Sequence, residues 1–315
     1  MRLLVLFVVV SCISLTAQKV RDASHLTPNG KGWGEDRDNA PPEARPFAVT
    51  TGNGISYHGG PVMSASPVPV YFIWYGNWNS TGSNSATTVN LIENYLYSGS
   101  GLNYSGYENI NTTYGDSTHN VSGGVQFTSG NDWFPGYPNG TRLRDATIQT
   151  IVSNYISQKQ GGAGDTNGIY FVLTSSDVTE TSGFCTKYCG WHTRGTIGGR
   201  DIKYSFVGNP DRCPSACEAQ TNSPNGDSGA DGMASIMAHE TEEAISDPDL
   251  NAWYDSSGYE NADKCAWKWG PTTGTVGNGG YNQTLAGKHW LIQMNWENAR
   301  GGGCDQMLGG TFYTH

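Results

Sequence analysis

Residues 237–255 read MAHETEEAISDPDLNAWYD and hold His239, Glu240 and Glu243 in a His-Glu-x-x-Glu pattern. On an α-helix, positions i and i+4 stand one above the other, so His239 and Glu243 project to the same side. That spacing lets His-Glu-x-x-His peptidases bring two imidazoles to one zinc. A carboxylate in place of the second imidazole is still a ligand, because zinc accepts Asp and Glu oxygen. Glu240 stands beside the first ligand, where the general base of a metallopeptidase belongs. There it would take a proton from water, whose pKa a bound metal lowers to about 7.

A third ligand is needed, and the segment after the helix offers Asp255, Glu260 and Asp263 in NAWYDSSGYENADKC. Glu260 and Asp263 lie three apart, so a helical turn would aim both at the helix, and Cys265 would pin that turn through a disulfide. Three protein ligands with an open position are the catalytic type of site. An oxygen-rich set favours harder ions than a histidine-rich one, which makes zinc the first expectation and manganese or calcium the second. The competing reading is an acidic amphipathic helix that carries HETEEAISD with no ion. His58 in YHGGP and His192 in CGWH are further candidates, because the adjoining glycines would let backbone approach a ligand. The alternative for each is a hydrogen-bonded loop side chain. The sequence holds no Gly-x-Ser-x-Gly elbow and no phosphate-binding loop.

The elements that must position these residues alternate. VPVYFIWY (68–75) reads as a buried strand, 85–97 as a helix, and 101–140 as short strands and loops. RDATIQTIVSNYISQKQ (144–160) reads as a helix with Ile148, Ile151, Val152 and Tyr155 on one face. IYFVLTSSDV and DIKYSFVG read as two further strands. The His-Glu helix is expected to start at Gly232 with Asp231 as its N-cap and to stop at Asp247-Pro248. Met233, Ile236, Met237, Glu240 and Ala244 make one stripe along it. The Gly-rich tail, 258–315, has one convincing strand at KHWLIQMNW. This pattern predicts α/β (α+β) architecture: a single mixed-sheet domain, zincin-like around the late helix, with a loop-rich, disulfide-stapled C-terminal half.

Composition narrows the setting. The 315 residues carry a formal charge of −10, which argues against a phosphate-backbone partner and so against nucleic acid. Only 15% are charged and 43 are Gly, a loop-rich extracellular composition, while 10 Trp and 17 Tyr suffice for a sizeable core. MRLLVLFVVVSCISLTA reads as a signal peptide over 1–17, too short for a membrane span, with lipidation at Cys12 as the bacterial alternative. Residues 18–54 read as a flexible leader and 55–315 as the globular domain. Six cysteines remain, and six allow 15 pairings. Neighbour pairing is expected: Cys185 with Cys189, Cys213 with Cys217, and Cys265 with Cys304. Sequons at Asn79, Asn103, Asn111, Asn120, Asn139 and Asn282 would mark exposed, glycosylated loops.

YHGGPVM, VYFIWYGNW, GFCTKYCGWH, FVGNPDRCPSAC, the His-Glu helix with its Trp-Tyr loop, and ENADKC follow in that order. Together, over residues 54–305, they resemble the secreted EXORDIUM-like (phosphate-induced) family of plants and its microbial relatives. His239, Glu240 and Glu243 match that family's His-Glu-x-x-Glu; Glu260, Asp263 and Cys265 match its Glu-x-x-Asp-x-Cys. His58 and His192 match its Tyr-His-x-Gly-Pro and Cys-Gly-Phe-His positions. Thr241 and Glu242 depart from the family's Leu/Ile-Ala. The resemblance implies an apoplastic or cell-wall location and an association with growth. Three functions are therefore expected: a metal-dependent hydrolase acting on extracellular peptide, a non-catalytic cell-surface or cell-wall protein, or a glycoprotein that binds cell-wall polysaccharide through aromatic loops.

Overall fold

The computed structural model describes residues 53–79, 84–96 and 99–313. The expected signal peptide, nearly all of the expected leader, and Cys12 lie outside the described residues. The last two leader residues already touch the fold: Asn53 accepts a 2.8 Å hydrogen bond from the Trp296 indole, and Gly54 lies against the same ring.

Five strands form the central sheet. In chain order they are β1 (Val68–Tyr75), β2 (Val125–Gly136), β3 (Ile169–Thr174), β4 (Gly190–Ile197) and β5 (Arg200–Gly208). Across the sheet they run β2-β1-β3-β5-β4. The first four in that order are mutually parallel, and β4 closes the edge antiparallel to β5. β3, IYFVLT, is buried at every position, as a parallel strand covered on both faces should be. Helices α1 (Ala86–Leu96), α2 (Asp145–Lys159) and α4 (Ser228–Ser246) cover the sheet; α3 (Pro214–Cys217) is a single turn. The period-2 alternation of the strands decides which side chains meet which helix. Tyr71, Tyr170 and Tyr204 are in register on one face, where Tyr155 of α2 packs against the first two. Phe72, Phe171, Ser205 and His192 share the opposite face, under α4. The mixed α/β sheet expected from the sequence is therefore present, with a layer of helix on each side.

Several expectations need correction. First, α4 begins four residues early. Asp227 is its N-cap, accepting from the Ala230 amide at 2.9 Å, while Asp231 is turned to Ser223 and Asn225. Gly229 and Gly232 lie inside the helix; at Gly232 a Cβ would come within 2.8 Å of Pro210, so close packing explains the residue that seemed to bar a helix. Nor is α4 amphipathic, since every residue from Gly229 to Ser246 is buried. Second, KHWLIQMNW is split into strands Lys288–Trp290 and Asn295–Glu297. Between them the Ile292 backbone is held by the Asn282 side chain in place of a ladder partner. Residues 101–140 likewise hold the 3-10 turn Glu108–Thr113 and the 12-residue β2.

Third, the two Cys-x-x-x-Cys pairs are cross-linked to each other. Cys185 is bonded to Cys213 and Cys189 to Cys217, each across 28 residues. The turn of α3 points both of its cysteines the same way, toward the loop before β4, so the two bridges lie side by side with Cys213 and Cys217 sulfurs 3.6 Å apart. Loops this long restrict the unfolded chain more than closure of a four-residue turn would. Cys265–Cys304 is bonded as expected. Two of the sequons are not exposed loops: Asn111 and Asn282 are buried, their amides committed to the Glu242 carbonyl and to the Trp269 and Ile292 carbonyls. Asn79, Asn120 and Asn139 are exposed. Among the described residues, no helix is long and apolar enough to cross a membrane.

Candidate metal centre

Residue types that rarely enter a core converge beneath α4. His239, Glu240 and Glu243 come from the helix, Glu260 and Asp263 from the turn that follows it, and His192 from edge strand β4. Five of the six are no more than 1% exposed, and Asp263 is 8% exposed. The i, i+4 spacing brings His239 Nε2 to 3.1 Å from Glu243 Oε1, and Asp263 Oδ1 lies 3.6 Å from the same nitrogen. The turn is built to hold this: the Asp263 amide donates to Glu243 Oε1 at 3.0 Å, and the Glu260 amide donates to Asp263 Oδ2 at 3.2 Å. The Cys265–Cys304 disulfide anchors its far end. On the other side of Glu243, His192 Nε2 lies 3.6 Å from Oε2 and 3.2 Å from both Glu260 oxygens. The alternation of β4 aims His192 here, paired with Ser205, while Trp191 packs on the opposite face against Tyr204 and Phe206.

The electrostatics of this group are unfavourable as it stands. Burial, with Asp263 beside it, pushes the Glu243 carboxyl up to about 7. Burial, then Glu243, Asp247, Asp263 and Glu240, push Glu260 well above the usual carboxylate range. Burial and the neighbouring His239 hold His192 down to about 3. Glu243 Oε2 and Asp263 Oδ1 accept no hydrogen bond although both are buried. Buried carboxylates without donors cost several kcal/mol each unless a positive charge compensates them. A divalent cation fits this donor set: two imidazole nitrogens and three carboxylates, in two groups of three donor atoms lying within 4.8 Å of one another.

Each expected site residue has a definite place. His239, Glu243, Glu260, Asp263 and His192 are brought together. Glu240 is next to them, and Gly190 makes its room: a Cβ there would meet Glu240 Oε1 at 3.0 Å and Ile236 at 2.6 Å. Asp255 is spent on its own turn, accepting from the Ser257 and Tyr259 amides and pairing with Lys264. His58 is exposed and apart from the cluster, stacked on Tyr254 and bonded to that residue's carbonyl. The sequence reading missed Gln293. Its oxygen accepts from the Trp267 amide and its nitrogen donates to the Ala262 carbonyl and to His239 Nδ1 at 2.9 Å. That orientation leaves the neutral ring's proton on Nε2, facing Glu243 and Asp263. It also missed a buried carboxyl pair on another side of α4, where Glu242 meets Glu108 and accepts from Asn295 at 2.6 Å. Local spacing carries no signal for either.

Comparison with known proteins agrees with the family resemblance. The family description "Phosphate-induced protein 1 conserved region" matches residues 55–301. Protein EXORDIUM-like 5 of Arabidopsis thaliana is 33% identical over 283 residues, covering 77% of this chain and 75% of that one. Protein EXORDIUM-like 3 of the same plant is 30% identical over 285 residues, covering 78% and 80%. Among solved structures, the crystal structure of metalloproteinase-II from Bacteroides fragilis matches at 13% identity and a TM-score of 0.26, over 64% of this chain and 52% of that one, which is too distant to carry an argument. The match over residues 55–301, together with two relatives aligned along most of their length, places this chain in the EXORDIUM-like, phosphate-induced protein family.

Proposed function

We propose that this protein is secreted and binds a divalent cation beneath α4, where it hydrolyses an extracellular substrate, most simply a peptide. One observation carries the reading: His239, Glu243 and Asp263 converge in a buried cluster with unsatisfied carboxylate oxygens. Three disulfides support an oxidising, extracellular setting. His239, Glu243 and Asp263 would hold the ion, and zinc, or else manganese or calcium, would supply Lewis acidity and a lowered pKa for water. Glu240, adjacent on the helix, is the residue to accept the proton released from that water. Ligation through His239 Nε2 requires the ring proton to move to Nδ1, where a ligating histidine donates to an acceptor, so the Gln293 amide would have to turn its oxygen there.

The burial of the donors supports a second reading, a closed structural ion in a non-catalytic cell-wall or cell-surface protein, because structural sites are the closed ones. Glu240→Gln separates the two. For a hydrolase, the variant keeps its metal while turnover of a mixed peptide substrate falls about 10²- to 10⁴-fold, the usual contribution of a general base. Metal-loaded wild type that turns over no peptide leaves the structural ion. Absence of metal from both proteins removes both readings.

A further inference from the structure

Glu243 does not face one histidine. Its Oε1 lies 3.1 Å from His239 Nε2, and its Oε2 lies 3.6 Å from His192 Nε2. Each histidine then has a second carboxylate of its own, Asp263 at 3.6 Å for His239 and Glu260 at 3.2 Å for His192. The cluster is thus two triads that share one carboxylate: His239, Glu243 and Asp263; and His192, Glu243 and Glu260.

Two features fit an ion in each triad. Ligand bonds of about 2.0–2.2 Å set neighbouring donor atoms roughly 3.0–3.5 Å apart, and the nitrogen–oxygen distances above fall around that range. A carboxylate that offers one oxygen to each of two ions is the bridge of two-metal hydrolases, whose ions stand about 3.5–4 Å apart.

We propose that this protein holds two divalent cations in a dinuclear centre bridged by Glu243, with His239 and Asp263 completing one site and His192 and Glu260 the other. The proposal rests on the metal-binding reading above and deepens it. On a single-ion centre, His192 and Glu260 are a hydrogen-bonded pair beside the ion and have no ligand role.

The test is ion stoichiometry on the full chain. Protein loaded with Zn²⁺ or Mn²⁺ is freed of loose metal and measured by elemental mass spectrometry. The expected result is about two ions per chain for wild type, about one for His192→Ala, and close to none for Glu243→Ala. Far-UV circular dichroism checks each fold, and His192→Gln serves if His192→Ala fails to fold. Electron paramagnetic resonance of the Mn²⁺ form gives a second readout, expected to show the broadened spectrum of coupled ions. One ion per wild-type chain, unchanged in the His192 variants, with the sharp six-line spectrum of isolated Mn²⁺, overturns the dinuclear centre and leaves the single-ion reading intact. No bound ion overturns both.

Discussion

Glu242 and Glu243 are neighbours in sequence, yet α4 turns them into different surroundings. Glu243 meets the histidines; Glu242 meets Glu108, with Asn295 as its donor. Burial pushes Glu108 up to about 8, from an ordinary value near 4.5. A carboxyl raised on folding adds stability below its unfolded value and loses that contribution as pH rises through its folded value. Metal-free protein should therefore lose stability between about pH 4.5 and 8 in part through Glu108. In Glu108→Gln that loss should shrink, and Tm at pH 8 should exceed the wild-type value by several degrees, read by calorimetry in chelator. An unchanged pH profile would remove Glu108 from the account. The cluster beneath the helix was partly legible at this scale. His239 and Glu243 are four apart and Glu260 and Asp263 three apart, so local geometry alone brings each pair to one face. His192 was singled out for the nearby Gly190 and for the family's Cys-Gly-Phe-His, and its pairing with Glu260 spans 68 residues. Glu108 and Gln293 reach α4 through tertiary packing, which no local pattern encodes.

At the scale of elements, α4 is the piece on which the site depends. Its N-cap, Asp227, serves two partners, the Ala230 amide and the Thr88 hydroxyl at 2.6 Å, and so ties α4 to α1. Its middle passes so close to β4 that Gly190 has no space for a side chain. Gly190→Ala should cost about 1–3 kcal/mol, the range for overpacking a filled core, measured by urea denaturation. On the reading of Glu240 as the general base, it should also displace Glu240 and lower turnover further than stability alone would dictate. A variant as stable as wild type would mean that the helix and strand separate freely. Strands β1, β3 and β5 were readable because runs such as IYFVLT are rich in β-branched and aromatic residues. The start of α4 was not, because two glycines that relieve crowding look, in sequence, like helix breakers. KHWLIQMNW misled in the opposite direction: its apolar content reflects burial under α4, not one continuous ladder.

For the whole molecule, the crossed disulfides join the loop before β4 to the turn before α4, and hence the two elements that supply His192 and His239. Trypsin can test the pairing without reduction. Cleavage after Lys159, Lys187, Arg194, Arg212 and Lys264 isolates peptides 160–187, 188–194 and 213–264. Crossed bridges hold all three together in one mass; neighbour pairing would release 213–264 by itself. Sequence alone could count the cysteines but could not pair them, since their proximity is set by the fold. The dryness of the centre has a kinetic side as well. An ion enclosed by side chains this deeply buried cannot leave until the helix or its following turn opens. Its loss to a chelator should be governed by the opening rate of the protein, level off as chelator concentration rises, and keep pace with hydrogen exchange at the amides of α4. An extracellular protein built this way would keep its metal through dilution into a metal-poor medium, as a trapped passenger and not as a ligand in equilibrium.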